Sequence, residues 1–203
     1  MRKAAALALA AGALWWPAAA LAHGDPVSDG LRLGEVFLPY DARVPKQESA
    51  ALKGVVDDAN RKGFAVRVAV VPSSYDVGPL RQLWLKPTAL ARYAGTDLRD
   101  DHVYRGRVVV AMPNGFGVFW TGHSVAPLEA AVRGIPTSAR PAALARAAEK
   151  AVVRLAAQRG IAVAPRRETK SYAQQRVALA LVAAGVVALA GAARFVLRRR
   201  HRA

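Results

Sequence analysis

Two long apolar segments, one near each end of the 203-residue chain, limit what this sequence can fold into. The first follows Met1-Arg2-Lys3, runs through residues 4–20 and ends in the small residues Ala20-Leu21-Ala22. A charged start, an apolar stretch and an A-x-A site in this order are typical of a secretory signal peptide. The sequence therefore predicts that residues 1–22 direct export and are then removed.

The second apolar segment, residues 177–197, contains one charged side chain, Arg194, close to its end. As a helix, its 21 residues would extend over about 31 Å, which matches the hydrocarbon core of a bilayer. A helix buried in the domain is the alternative, but the segment has no polar face and a cluster of arginines follows it. We therefore predict a transmembrane helix and a basic cytoplasmic tail, residues 198–203.

The orientation of this helix follows from the signal peptide more than from the flanking charges. Five basic side chains lie at the C-terminal end and four lie in residues 165–176, so the positive-inside rule gives little preference. A signal peptide exports the segment that follows it, which places the domain outside the cell membrane. The sequence thus predicts a single-pass membrane protein that contacts lipid through its C-terminal helix.

Composition excludes several kinds of site. The chain has no cysteine, so it has no disulfide, no thiolate zinc site and no cysteine nucleophile. Its formal net charge is +16, but residues 23–164 hold 19 basic and 13 acidic side chains, a much smaller excess. Most of the charge therefore flanks the apolar segments, and we expect no nucleic-acid partner. A mildly basic surface facing anionic lipid or wall polymer, or simply water, fits the domain.

Between the two ends, periodicity predicts α and β elements in alternation. Residues 23–46 are rich in Gly, Pro and Asp, which indicates an extended lead-in. Apolar side chains at helical spacing predict a helix over 47–62, and the nearly continuous apolar run 64–71 predicts an interior strand. Asp76 is expected to cap a short helix, and helical turns are expected at residues 88–93.

The stretch YRGRVVVAMPNGFGVFW, residues 104–120, is the most informative part of the domain. It predicts two strands, 107–112 and 117–121, joined by a hairpin whose turn is Asn114-Gly115. A long helix is predicted over 141–159, with Thr137 or Ser138 as its cap, followed by a short last strand over residues 161–163.

The predicted fold is therefore α/β (α+β), a small mixed β-sheet with a hairpin, packed by helices. A helix that joins two strands favours a parallel pair, and the hairpin adds an antiparallel neighbour. Residues 47–164 would form this extracytoplasmic domain, and the charged residues 165–176 would link it to the membrane helix.

This plan resembles the TPM domain, found in exported or lumenal proteins with a signal peptide, an α/β domain and a C-terminal membrane helix. The helix-to-strand unit 52–71, the strand 108–112 and the glycine-rich turn after it carry the resemblance, which covers residues 49–163. Family members commonly have an acidic residue and Asn-Gly just before the middle strand. Here Asp100-Asp101 lie farther back, and Arg105-Gly106 stands where Asn-Gly is expected.

The TPM resemblance implies a role in membrane-protein quality control or, in some members, phosphatase activity and metal binding. Gly115-Phe116-Gly117 is loosely similar to the family's later Gly-x-Gly segment. The chain also resembles exported actinobacterial proteins that share the stretch PNGFGV, and that resemblance implies no activity.

The densest polar cluster is a candidate metal site formed by Asp97, Asp100, Asp101 and His102. Oxygen ligands that lie close together in a loop favour a hard cation such as Ca²⁺ or Mg²⁺. The spacing matches no EF-hand, and Arg99 lies inside the cluster, so a solvated turn before the next strand is the alternative.

A second candidate is the turn that contains Asn114, Gly115 and Gly117. Its backbone N–H groups would face an anionic ligand, or the residues would simply form the hairpin turn. The spacing matches neither a P-loop nor a dinucleotide-binding fingerprint. After signal cleavage, the amine and imidazole of His23 would offer copper ligands.

These patterns identify no catalytic residue. We expect a binding or scaffolding module whose partner is an envelope or membrane protein. A metal-dependent phosphatase or hydrolase of the TPM type, which would use Asp100, Asp101 and His102, is the alternative.

Overall fold

The computed structural model describes residues 25–40 and 43–164. The predicted signal peptide, His23, the linker, the membrane segment and the basic tail all lie outside these residues. Within the two described ranges, no helix has both the length and the apolar character needed to cross a membrane.

The described residues form a mixed α/β fold, which confirms a small mixed sheet with a hairpin packed by helices. The sheet order is β1-β2-β3-β4, with the first three strands parallel and β4 antiparallel to β3. In chain order the elements are α1 (Pro26–Leu33), β1 (Val36–Phe37), α2 (Lys46–Arg61), β2 (Val66–Val70), a 3-10 helix (Ser74–Leu83), α3 (Pro87–Asp100), β3 (Arg107–Met112), β4 (Gly115–Trp120), α4 (Ala126–Val132) and α5 (Pro141–Ala157).

The central strands β2 and β3 contribute to two apolar cores, one on each face of the sheet. Val66, Val68 and Val70 of β2 pack on one face with α2 and α5. Ala69 and Val71 pack on the other face with α1 and α3. All six residues of β3 are buried, so the sheet needs cover on both sides.

The two crossover connections between parallel strands have opposite hands. The chain passes from β1 to β2 through α2 on one face, and from β2 to β3 through α3 on the other face. Both steps move in the same direction across the sheet, so a change of face reverses the hand. One crossover is therefore left-handed, against the strong preference for right-handed connections.

Helix α1 corrects the prediction of an extended lead-in at residues 23–46. The Asp25 carboxylate accepts hydrogen bonds from two backbone N–H groups of the first turn, at 3.0 and 3.1 Å, and Pro26 is the first helical residue. Val27 and Leu31, one turn apart, are completely buried. A capping carboxylate and two buried side chains are thus enough to form this helix, although eight residues show little periodicity.

The predicted last strand is also wrong, because residues 161–163 do not join the sheet. The fourth strand of the sheet is β1 instead. The Lys62 ammonium instead donates to the Ala162 carbonyl at 2.7 Å, and the Ala164 N–H donates to the Asp58 carboxylate at 3.4 Å. The segment therefore lies along the last turn of α2 and satisfies its backbone groups there.

The predicted hairpin is present, with a loop shifted by one residue. Met112 lies opposite Gly115, so the two loop residues are Pro113-Asn114 and not Asn114-Gly115. The long helix α5 is confirmed, but Arg140 is its N-cap and makes no side-chain capping bond. The Thr137 hydroxyl donates to the Pro113 carbonyl at 2.7 Å and so holds the hairpin loop.

Two further helices differ from their predictions. Ser73 is the N-cap of the 3-10 helix, and the Asp76 carboxylate accepts bonds from the Ser73 N–H at 2.9 Å and hydroxyl at 2.8 Å. Asp76 therefore closes a capping box from the third helical position. Helix α3 continues to Asp100, well beyond the turns predicted at residues 88–93.

Gly117 allows β4 to pass directly against the start of α3. A methyl group added there would lie 2.0 Å from the Pro87 carbonyl oxygen, a backbone atom. We expect Gly117→Ala to lower the free energy of unfolding by about 3 kcal/mol, because overpacking displaces a helix. Urea denaturation measures this loss. In the control Gly34→Ala, the methyl meets nothing closer than 3.9 Å, and equal losses in both variants would contradict the explanation.

Candidate functional site

The two predicted site clusters lie at opposite ends of β3 and do not come together. The acidic cluster, residues 97–102, occupies the last turn of α3 and the residues just after it, before β3 begins. The Asn114-Gly115 pair and Gly117 lie where β3 ends and β4 begins. They therefore have to be considered as two separate sites.

Arg32 of α1 is the partner of two aspartates in the acidic cluster. Its guanidinium lies 2.6 Å from the Asp97 carboxylate, 2.5 Å from the Asp101 carboxylate and 2.8 Å from that of Asp29. One arginine therefore balances part of the charge of three carboxylates, and it joins α1 to the end of α3.

The other two members of the cluster interact with different arginines. Asp100 pairs with Arg99 at 2.7 Å, and a ring nitrogen of His102 lies 3.4 Å from Arg105. Across residues 25–40 and 43–164, no group of three or more His, Asp or Glu side chains is placed to hold a metal ion. The Ca²⁺ or Mg²⁺ site stays a prediction, and the observed role of its acids is ion pairing.

Each residue of the second cluster has a local role in the hairpin. The Asn114 side-chain amide donates to the Leu85 carbonyl at 2.6 Å, and Gly115 has a φ of +138°. Gly117 makes the close approach to Pro87 described above. These contacts favour the turn over the ligand-binding alternative, and an anion at this turn stays a prediction.

An open groove of about 490 Å³ lies at the end of the sheet where β3 begins and β4 ends. We call this end of the domain, where β2 also begins, the arginine end. The groove is lined by Arg99, Asp100, His102, Arg105 and Thr121. Two predicted residues, Asp100 and His102, thus line a cleft together with two arginines. This lining suits an anionic group better than a metal cation.

Trp120, the last residue of β4, lies beside this groove between a cation and a second ring. The guanidinium of Arg107 is 3.7 Å from the centre of the indole, and the His123 ring stacks at 3.6 Å with an interplanar angle of 6°. Two groups this close to one ring centre overlap unless they are on opposite faces. The order in space is therefore Arg107, Trp120, His123.

Arg107 is a buried cation without a carboxylate partner among the described residues, and it is only 6 % exposed. Its Nε has no hydrogen-bond partner there, and one Nη donates weakly to the Ala65 carbonyl at 3.4 Å. Burial lowers the pKa of Arg107, and the neighbouring charge of Arg159 lowers it further. The faces of Trp120 and Phe64, the latter at 4.2 Å, offset part of the lost hydration.

Sequence reasoning missed Arg107 and Trp120 as site residues. The sequence predicts Arg107 and Trp120 only as members of the two strands 107–112 and 117–121. The register of the hairpin places the two residues directly opposite each other. A cation and an aromatic side chain opposite each other on two strands would have identified the site from the sequence. Which residues lie opposite each other depends on which residues form the loop.

Loss of Arg32 is expected to weaken the junction between α1 and α3. Arg32→Met leaves three carboxylates close together without their cation, so we expect the free energy of unfolding to fall by about 2 kcal/mol. Arg146→Met, which removes an exposed ion pair with Glu48, is the control and should cost about 0.5 kcal/mol. Equal losses in thermal or urea unfolding would show that the Arg32 contacts have no special role.

Comparison of the chain with models of protein families, with curated proteins and with solved structures gives no match. The resemblance to the TPM domain therefore stays an expectation from the sequence. The functional argument rests on the groove and on the stacked side chains beside it.

Proposed function

We propose that this chain is a membrane-anchored binding or scaffolding module on the extracytoplasmic side of the cell membrane, with an envelope or membrane protein as a partner. The observation that carries the proposal is the groove lined by Arg99 and Arg105 next to the Trp120 stack. Arginine recognises anionic and aromatic groups but neither attacks a substrate nor gives up its proton at neutral pH. The sequence supports export through residues 1–22 and anchorage through residues 177–197.

A metal-dependent phosphatase or hydrolase of the TPM type is the alternative function. The presence of Asp100 and His102 in the groove favours it. Asp101, the third residue that this mechanism would use, is 2.5 Å from Arg32. The acidic cluster would have to release that ion pair to accept a metal, whereas a binding module needs no such change.

Millimolar Ca²⁺ or Mg²⁺ is expected to leave the Tm of the detergent-purified full chain unchanged, because the acids already have cationic partners. A metal site with a Kd one-hundredth of the ion concentration would add about 2.7 kcal/mol of stability, which calorimetry detects easily. A rise in Tm that Asp101→Asn abolishes and Asp57→Asn preserves would establish the metal alternative. Asp57 is the control because its partner is the exposed Arg61.

Anchorage predicts that the chain stays with the membrane fraction after high-salt and alkaline washes and is released only by detergent. Trypsin added to the outer face should cleave at arginines of the domain, while a tag placed after residue 203 stays intact. Recovery of the uncut chain in the soluble fraction, or external loss of the tag, would refute the predicted topology.

A further inference from the structure

The arginine end combines exposed apolar side chains with exposed arginines that no carboxylate neutralises. Leu33 is 92 % exposed and Val103 is 44 % exposed, and Trp120 is half-buried. Arg105 and Arg159 are both exposed and make no ion pair with any residue in the described part of the chain. An apolar surface with adjacent unpaired cations is typical of a site that meets another surface.

The topology of the sheet brings these five residues to one end. Leu33 precedes β1, Val103 and Arg105 precede β3, and Trp120 ends the antiparallel strand β4. Arg159 follows α5 and lies 5.6 Å from the Trp120 ring. They therefore lie at the same end of the domain although more than 120 residues separate Leu33 from Arg159.

The chain also leaves the domain at the arginine end. Ala162 and Ala164 are bonded to Lys62 and Asp58, in the last turn of α2, just before β2 begins. Residues 165–176 then lead to the predicted transmembrane segment. Fully extended, a tether of this length reaches at most about 40 Å, so anchorage through residues 177–197 would keep the arginine end within that distance of the bilayer.

We propose that the arginine end docks on the headgroups of anionic phospholipids in the membrane that holds the anchor. The proposal rests on the proposed function, since it requires an anchored chain. Tryptophan is favoured at the interface because its ring is apolar and its N–H is polar. Arginine binds phosphate oxygens, and each basic residue near an anionic surface favours the bound state by a factor of about five.

Arg107 gives this surface a fixed positive charge beneath Trp120. Its guanidinium holds one face of the indole and the His123 ring stacks on the other, so the ring keeps its position while it stays partly exposed. The exposed pair Arg105 and Arg159 is therefore the better choice for substitution, because neither makes a contact that closes the fold.

The absence of cysteine allows a direct test, since a single introduced thiol can be labelled without competition. Ser124→Cys places a fluorophore at the arginine end, four residues beyond Trp120. Ala139→Cys places it at the opposite end, beside Thr137 and the hairpin loop. The full chain is reconstituted into vesicles that contain a nitroxide-headgroup lipid, either in phosphatidylcholine alone or in phosphatidylcholine with phosphatidylglycerol.

Docking predicts that phosphatidylglycerol increases quenching of the Ser124 probe and leaves the Ala139 probe unchanged, and that added salt reverses the increase. In the Ser124→Cys chain, Arg105→Gln with Arg159→Gln should lower the ratio of docked to undocked domain about thirtyfold. The control pair Arg81→Gln with Arg92→Gln removes the same charge elsewhere and should keep the quenching.

The remaining outcomes overturn the proposal in distinguishable ways. If the chain floats with both kinds of vesicle but phosphatidylglycerol has no effect on the Ser124 probe, lipid docking fails and the anchored module stands. If the chain does not float at all, anchorage fails and docking fails with it. If both probes respond equally, or if the Arg81 and Arg92 control pair lowers quenching as much as the Arg105 and Arg159 pair, the surface does not recognise the lipid headgroup.

Discussion

The strands β2 and β3 are apolar on both faces, and the rest of the architecture follows from that property. Neither face tolerates water, so α2 and α5 cover one side while α1 and α3 cover the other. The chain meets this requirement by changing faces between its two crossovers while it keeps moving in one direction. Burial of both faces thus outweighs the usual preference for right-handed connections. Because the faces are apolar, polar side chains lie at the ends of the strands.

The two ends of the strands use their polar residues differently. Where β2 and β3 finish, the polar side chains bond to backbone groups: Asp76 accepts from the Ser73 N–H, Asn114 donates to the Leu85 carbonyl and Thr137 donates to the Pro113 carbonyl. At the arginine end, the carboxylates of the acidic cluster are taken up by ion pairs, and Arg107 keeps a charge with no carboxylate near it. A cluster that suggests a cation site in the sequence is therefore paired with arginines in the structure.

Elements with long apolar patterns could be predicted from the sequence, whereas those that depend on distant partners could not. Helix α2, strand β2, the hairpin and α5 have enough residues for their period to be clear. Helix α1 and strand β1 are too short for that and are formed by burial against α3 and β2. Residues 161–163 have the composition of a strand, but contacts with the end of α2 take the place of sheet pairing.

The same difference between local patterns and distant partners applies to the candidate site. Spacing alone indicates that Asp97 and Asp101 lie one turn apart, but it does not reveal a guanidinium supplied from 65 and 69 positions earlier in the chain. The Arg107–Trp120 pair required the exact register of the hairpin. The loop lies one residue earlier than predicted, which moves the partner of Arg107 by two residues. Residues that are close in the sequence could be grouped correctly, but the distant residues that contact them could not be predicted.

The way in which the chain is held after α5 has a mechanical consequence. Any pull on the polypeptide beyond Ala164 would first load the contact with Asp58 at the end of α2. It would then reach Val163, which is buried in the same core as β2, and the contact of Ala162 with Lys62. The tether is thus attached both to the end of one helix and to the apolar core.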